Sequence, residues 1–116
     1  PLSAWVGFLT FDDFKKAISE DDRKKGDAEL KKYFENYQAV ELIKAKSAKD
    51  IGSVRWFIDC GDDDFLYEGN SRAHIEMRKK EIDHEYRVRD GAHNWTYWRE
   101  SLPVVLSFVS DAFHQY

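Results

Sequence analysis

Two strand-like runs, each closing on a turn and each followed by a helical pattern, constrain this chain more than any other feature. Val54-Arg55-Trp56-Phe57-Ile58-Asp59-Cys60 is rich in aromatic and β-branched residues and ends at Gly61. His84-Glu85-Tyr86-Arg87-Val88-Arg89 alternates, with Tyr86 and Val88 on one face, and stops before Asp90-Gly91. Between them, Asn70 or Ser71 starts an expected helix that runs to about Glu81, with Ala73 and Met77 facing inward. Strand, helix, strand, helix is a βαβ unit, which implies parallel neighbours joined by a right-handed crossover. Parallel strands are normally covered on both faces and belong to larger sheets. The expected class is α/β, with two or three parallel strands flanked by helices.

The flanking segments read as helical or polar. Thr10 with Asp13 resembles an N-cap, and Phe14, Ala17 and Ile18 continue it as an apolar stripe. Ser19 to Gly26 is expected to be a surface loop. Asp27 can cap a second helix with Leu30, Phe34 and Tyr37 at helical spacing, and a shorter helical piece covers 40–45. Trp95 to Glu100 reads as a helical turn. Pro103 suits the first turn of a separate final helix, whose stripe is Val105, Phe108, Val109 and Ala112.

Composition removes several functional classes. In 116 residues, 42% hydrophobic and 16% aromatic, there is enough apolar material for a packed core. The 18 basic residues occur in short groups with acids close by, and the net charge is −4, so they read as solvated helix faces and not a nucleic-acid footprint. No apolar run approaches the roughly 20 residues that span a bilayer. The single cysteine, Cys60, excludes an internal disulfide and a multi-cysteine metal site, and reads as a small buried residue. No cofactor motif is present. The chain opens on Pro1-Leu2-Ser3-Ala4-Trp5, as the tail of a strand would, and carries no signal-peptide pattern.

Chemistry concentrates where the two strands end. Ligand sites of open α/β sheets lie outside the carboxyl ends of the strands, and His93 follows the second strand on a turn with Gly91. Its ring is the kind of group that serves as a general base near neutral pH. His74 and His114 fall within helical patterns and His84 opens a strand, so all three read as structural. Asp62-Asp63-Asp64 follows the first strand. These acids can cap the next helix, ligate a metal, or orient His93 as a triad carboxylate does. No helix-spaced histidine pair or calcium-loop pattern supports the metal. Trp95 and Trp98, three apart, read from spacing alone as packing anchors.

Gly61-Asp62-Asp63-Asp64-Phe65-Leu66-Tyr67-Glu68-Gly69-Asn70, followed by His84 to Trp95 and then Trp98-Arg99, resembles the carboxyl end of an esterase family of α/β-hydrolases. That family includes esterase D, feruloyl and acetyl-xylan esterases, enterochelin esterases and mycolyltransferases. The resemblance covers residues 54–116 well and 1–53 loosely, and it implies a partial α/β-hydrolase domain, the part after the nucleophile elbow. It implies Asp64 as the triad acid, with Asp63 as runner-up, and His93 as the base. It also implies Trp95 and Trp98 beside the substrate. Gly91-Ala92 stands where two glycines are common in such turns.

The family's serine is what departs. Of Ser3, Ser19, Ser47, Ser53, Ser71, Ser101, Ser107 and Ser110, none has glycine two residues away on both sides, the elbow pattern. Ser71, with Gly69 before it, reads as a helix cap. Three functions stand: a portion of a serine esterase, a non-catalytic hydrolase-like binding or assembly module, and a carboxylate–histidine metal hydrolase. The first implies an ester substrate, carbohydrate-linked esters among them. Apolar surface left open on such a portion favours pairing of two copies, with Trp5, Phe8 and Phe11 as expected contacts.

Overall fold

In the computed structural model, residues 9–114 are described. Residues 1–8, including the strand tail and the contacts Trp5 and Phe8, lie outside them. The order is α1 (Phe11–Ala17), α2 (Glu20–Arg23), α3 (Asp27–Tyr37), α4 (Ala39–Ala45), α5 (Ala48–Ile51), β1 (Trp56–Gly61), α6 (Tyr67–Lys79), β2 (His84–Arg89) and α7 (Trp95–His114). The two strands among the described residues are parallel neighbours, in a register running from Trp56 opposite His84 to Gly61 opposite Arg89. This is an α/β arrangement, with helices on both faces of the strand pair.

Alternation along β1 sends side chains to two layers. Ile58 packs against a core of Val40, Ile43, Ile51, Ala73, Met77 and Ile82, drawn from α4, α5, α6 and the turn before β2. Phe57, its neighbour, meets Phe108 of α7 at 5.1 Å between ring centroids. Lys80 ties the first layer together by donating to the carbonyls of Lys44 and Lys46, satisfying the end of α4. Towards the amino end, Phe14 of α1 packs on Phe34 of α3 at 5.4 Å, and α1 has no fully buried residue.

Several sequence expectations change at element boundaries. Thr10 does cap α1, accepting from the Asp13 backbone N–H. The expected loop 19–26 contains the short helix α2, because Ser19 accepts from Asp22 N–H and starts a turn there. Gly26, at φ 87°, occupies the N-cap of α3 in place of Asp27, which lies in the first turn. Helix α6 begins at Tyr67 and not at Asn70 or Ser71, because Asp64 already binds the Leu66 N–H at 2.8 Å. Ser71 is therefore inside the helix, and its hydroxyl lies 3.0 Å from that of Tyr86. The turn at 95–100 and the final helix are one helix, with Pro103 in its interior. Ser101, just before the proline, accepts from Arg89 and donates to the Tyr97 carbonyl, which holds the helix to the sheet across the point where it loses a backbone bond.

Candidate active site

Both chemistry-bearing turns leave the carboxyl end of the strand pair and interlock by backbone. Asp62 N–H donates to the Arg89 carbonyl at 3.0 Å and Asp63 N–H to the Gly91 carbonyl at 2.8 Å, so strand-like pairing continues past both strands. Asp62 Oδ1 returns a bond, accepting from Gly91 N–H at 3.0 Å. The approach is closer than a side chain allows: a Cβ on Gly61 would stand 2.2 Å from the Gly91 carbonyl oxygen. Gly91 itself has φ 138°, and a Cβ there would meet the Tyr97 ring at 2.7 Å. Glycine is needed at both positions, whereas Ala92 keeps its methyl without such a clash.

This interlock brings Asp64 and His93 together. Asp64 Oδ2 lies 3.0 Å from His93 Nδ1, while Asp64 Oδ1 accepts from Leu66 N–H. The Asp64 side chain is 7% exposed and that of His93 26%. An ionised carboxylate only accepts, so Nδ1 carries the proton and, in the neutral ring, Nε2 keeps its lone pair. The ring is held edge-on by Phe65 at 5.1 Å and Trp98 at 5.0 Å. Asn94 fixes the turn after it by accepting from Tyr97 N–H, capping α7.

The runner-up acid, Asp63, is exposed and grouped with Asp62 and Asp90, away from the imidazole's bonded nitrogen. Trp98 contacts His93, and Trp95 packs on Trp98 at 5.3 Å while remaining 68% exposed. Trp95 is thus an open aromatic face one ring away from the histidine, and not the core anchor its spacing suggests. Among the described residues no serine hydroxyl hydrogen-bonds His93. Ser19 and Ser47 cap helices, Ser71 meets Tyr86, Ser101 is buried against Tyr97, and Ser110 lies beside His114. His74 and His84 bond each other at the opposite, amino-terminal end of the strands.

One set of supporting residues has no counterpart in the sequence reading. Asp59, in β1, accepts from Arg89 of β2 at 2.5 Å and from the Tyr97 hydroxyl of α7. The Arg89 guanidinium also reaches Ser101 and lies over the Tyr97 ring, while its Nε is buried without a partner among the described residues. These bonds lock β1, β2 and the start of α7, and so the turn that carries His93. Asp59 in one strand pattern and Arg89 in the next, opposite charges near the carboxyl ends of both, were the signal for it.

Comparison with known proteins relates the chain as a whole to esterases. No family model matches the chain. A curated acetyl esterase of Caldicellulosiruptor saccharolyticus is 25% identical over 72 residues, covering 61% of this chain and 27% of that protein. A solved ferulic acid esterase structure superposes with a TM-score of 0.62 at 41% identity, covering 68% of this chain and 31% of the other. The chain therefore spans roughly a third or less of the length of these relatives. By sequence and by fold, it is a partial relative of the esterases of the α/β-hydrolase class.

Proposed function

We propose that this chain carries the acid and the base of a serine-type carboxylic-ester hydrolase, with the nucleophilic serine on another part of a longer protein. The observation that supports this most is the buried Asp64 carboxylate on His93 Nδ1, with Nε2 unbonded among the described residues, at the carboxyl ends of two parallel strands. In such a cycle Nε2 takes the serine proton as the oxygen attacks the ester carbonyl. The resulting imidazolium, stabilised by Asp64, then returns the proton to the leaving alcohol. Water attacks the acyl-enzyme with Nε2 again accepting the proton, which passes to the serine oxygen as the acyl bond breaks and the acid product leaves. Residues 1–116 would be the portion of the hydrolase domain after the nucleophile elbow. Trp95 and Trp98 would line the acyl or sugar side of the substrate, an aromatic surface suited to carbohydrate-linked esters.

Hydrolysis of p-nitrophenyl acetate tests the assignment. The chain alone is expected to show no saturable turnover above that of free imidazole. In the longer protein, His93→Ala should lower kcat on the order of a thousandfold or more, and Asp64→Asn by about as much, with Asp63→Asn near wild type. Saturable turnover by the chain alone, or an active His93→Ala enzyme, would overturn it.

We also propose that the isolated chain pairs with a copy of itself. Leu102, Leu106, Val109 and Phe113 form an exposed stripe at helical spacing along α7, a more extensive open apolar surface than that at Phe11, whose ring packs on Phe34. Light scattering over a range of concentrations should report a dimer; a monomer at every concentration refutes the pairing.

A further inference from the structure

The amino-terminal end of the strand pair, opposite the Asp64–His93 turns, holds a second side-chain cluster. His84 Nδ1 lies 2.8 Å from the Ile82 carbonyl oxygen. A carbonyl only accepts, so Nδ1 carries the hydrogen and His84 Nε2 keeps its lone pair. His74 Nδ1, on α6, approaches that lone pair at 2.7 Å. The His74 ring stacks on Tyr86 at 4.2 Å and 14°, and the Tyr86 hydroxyl is anchored on Ser71. Both rings open onto a surface cleft of about 520 Å³ whose walls also include Tyr86, Arg78, Glu81 and Asp83.

Three features of this cluster are those of a ligand set. Fixing one imidazole nitrogen on a backbone carbonyl, so that the other presents its lone pair, is how metal-ligating histidines are held. Two imidazole nitrogens converge on one point at the edge of open space. Glu81 has φ 56°, a left-handed conformation that ends α6 and is usually left to glycine. Glu81 thereby lines the cleft wall at a position where the backbone alone would favour no side chain.

We propose that His74 Nδ1 and His84 Nε2 are the nitrogen ligands of a divalent transition-metal ion of the zinc or copper kind, whose shell is completed by water from the open cleft. Imidazole nitrogen suits these ions in preference to magnesium or calcium. The ion takes the place of the hydrogen now shared between the rings. The His74 proton moves from Nδ1 to Nε2, and both imidazoles stay neutral. Metal–nitrogen distances of about 2.0–2.1 Å in a tetrahedral shell put two ligand nitrogens about 3.3 Å apart. The rings must therefore part by about 0.6 Å from their present spacing, a side-chain rotation into the cleft. Arg78 on the same wall opposes the ion's charge. The site is separate from Asp64 and His93, and its occupancy does not depend on the ester chemistry.

Titrating the metal-free 116-residue chain with Zn²⁺ at neutral pH, observed through its histidine ring signals by NMR, decides the matter without any substitution. One ion should bind per chain, shifting the His74 and His84 rings and leaving His93 and His114 in place. With Cu²⁺, the electron spin-echo envelope should count two coordinated imidazoles. His74→Ala and His84→Ala should each weaken binding more than about a hundredfold, beyond what loss of an outer partner costs, and Arg78→Gln should tighten it. No binding, shifts centred on His93, or binding that follows Asp62→Asn at the acidic turn would each overturn the proposal.

Discussion

The two ends of the strand pair each carry a hydrogen-bonded histidine, and they are built in opposite ways. At the carboxyl end His93 faces a buried carboxylate, inside turns stitched together by backbone bonds and by two glycines in near contact. At the amino end His74 faces another imidazole across an open cleft, and burial, His84 and Arg78 together hold it below the ordinary histidine range. A carboxylate partner favours the imidazolium; an imidazole partner does not. The first arrangement suits a group that must accept a proton, and the second suits neutral lone pairs. The difference teaches that the partner and the rigidity of its support decide what a histidine can do, more than the histidine's place at a strand end.

That contrast in rigidity can be broken by adding or removing one side chain at each end. Gly61→Ala drives a methyl into the Gly91 carbonyl at 2.2 Å, and the obstacle is backbone, which cannot rotate aside. Urea unfolding should report a loss of about 3 kcal/mol, the upper range for overpacking. Glu81→Gly acts with the opposite sign, because it relieves the left-handed strain at φ 56° and should gain about 1 kcal/mol. Similar small effects from both substitutions would mean that the carboxyl-end turns yield as easily as the amino end, and the contrast would fail.

How much of this was legible follows the range of the interactions. A strand over 54–60, observed over 56–61, the strand at 84–89 and their parallel pairing could be read because alternation, turn residues and strand ends are local signals; those signals brought the 62–64 acids to His93, and the resemblance to the esterases singled out Asp64. The start of α6 could not, since it depends on Asp64 bonding both Leu66 and His93, and only the folded turn reveals that choice. Pro103 was misread for a related reason: Arg89 binds Ser101 and holds α7 to the sheet just before the proline, and this contact joins residues far apart in the chain. His74 and His84 looked structural one at a time. Their pairing depends on the helix register of α6 against β2, which spacing alone does not reveal. The serine pattern, by contrast, was decidable from sequence because the elbow needs glycines at fixed neighbours.

The smallest expected effect probes how dry the carboxyl end is beneath the site. Cys60 is 4% exposed, one residue before the turn that leads to Asp64. Burial, with the charges of Asp64 and Asp59 added, pushes its thiol from 9.0 up to about 12. For an acid whose folded value is raised, the folded chain holds its proton longer than the unfolded one. Its stabilising contribution is therefore complete below about pH 9 and is lost as pH climbs towards about 12. Cys60→Ala should flatten this alkaline decline relative to wild type. Tyr97, also raised by burial, contributes the same slope to both proteins and cancels in the comparison. Iodoacetamide should label Cys60 only as fast as the chain opens, since the thiolate is the reactive form. Labelling at the rate of a free thiol in the folded state, or an unchanged alkaline slope in Cys60→Ala, would mean that water reaches the strand ends below His93. The rigid, desolvated support argued for that end would then be lost.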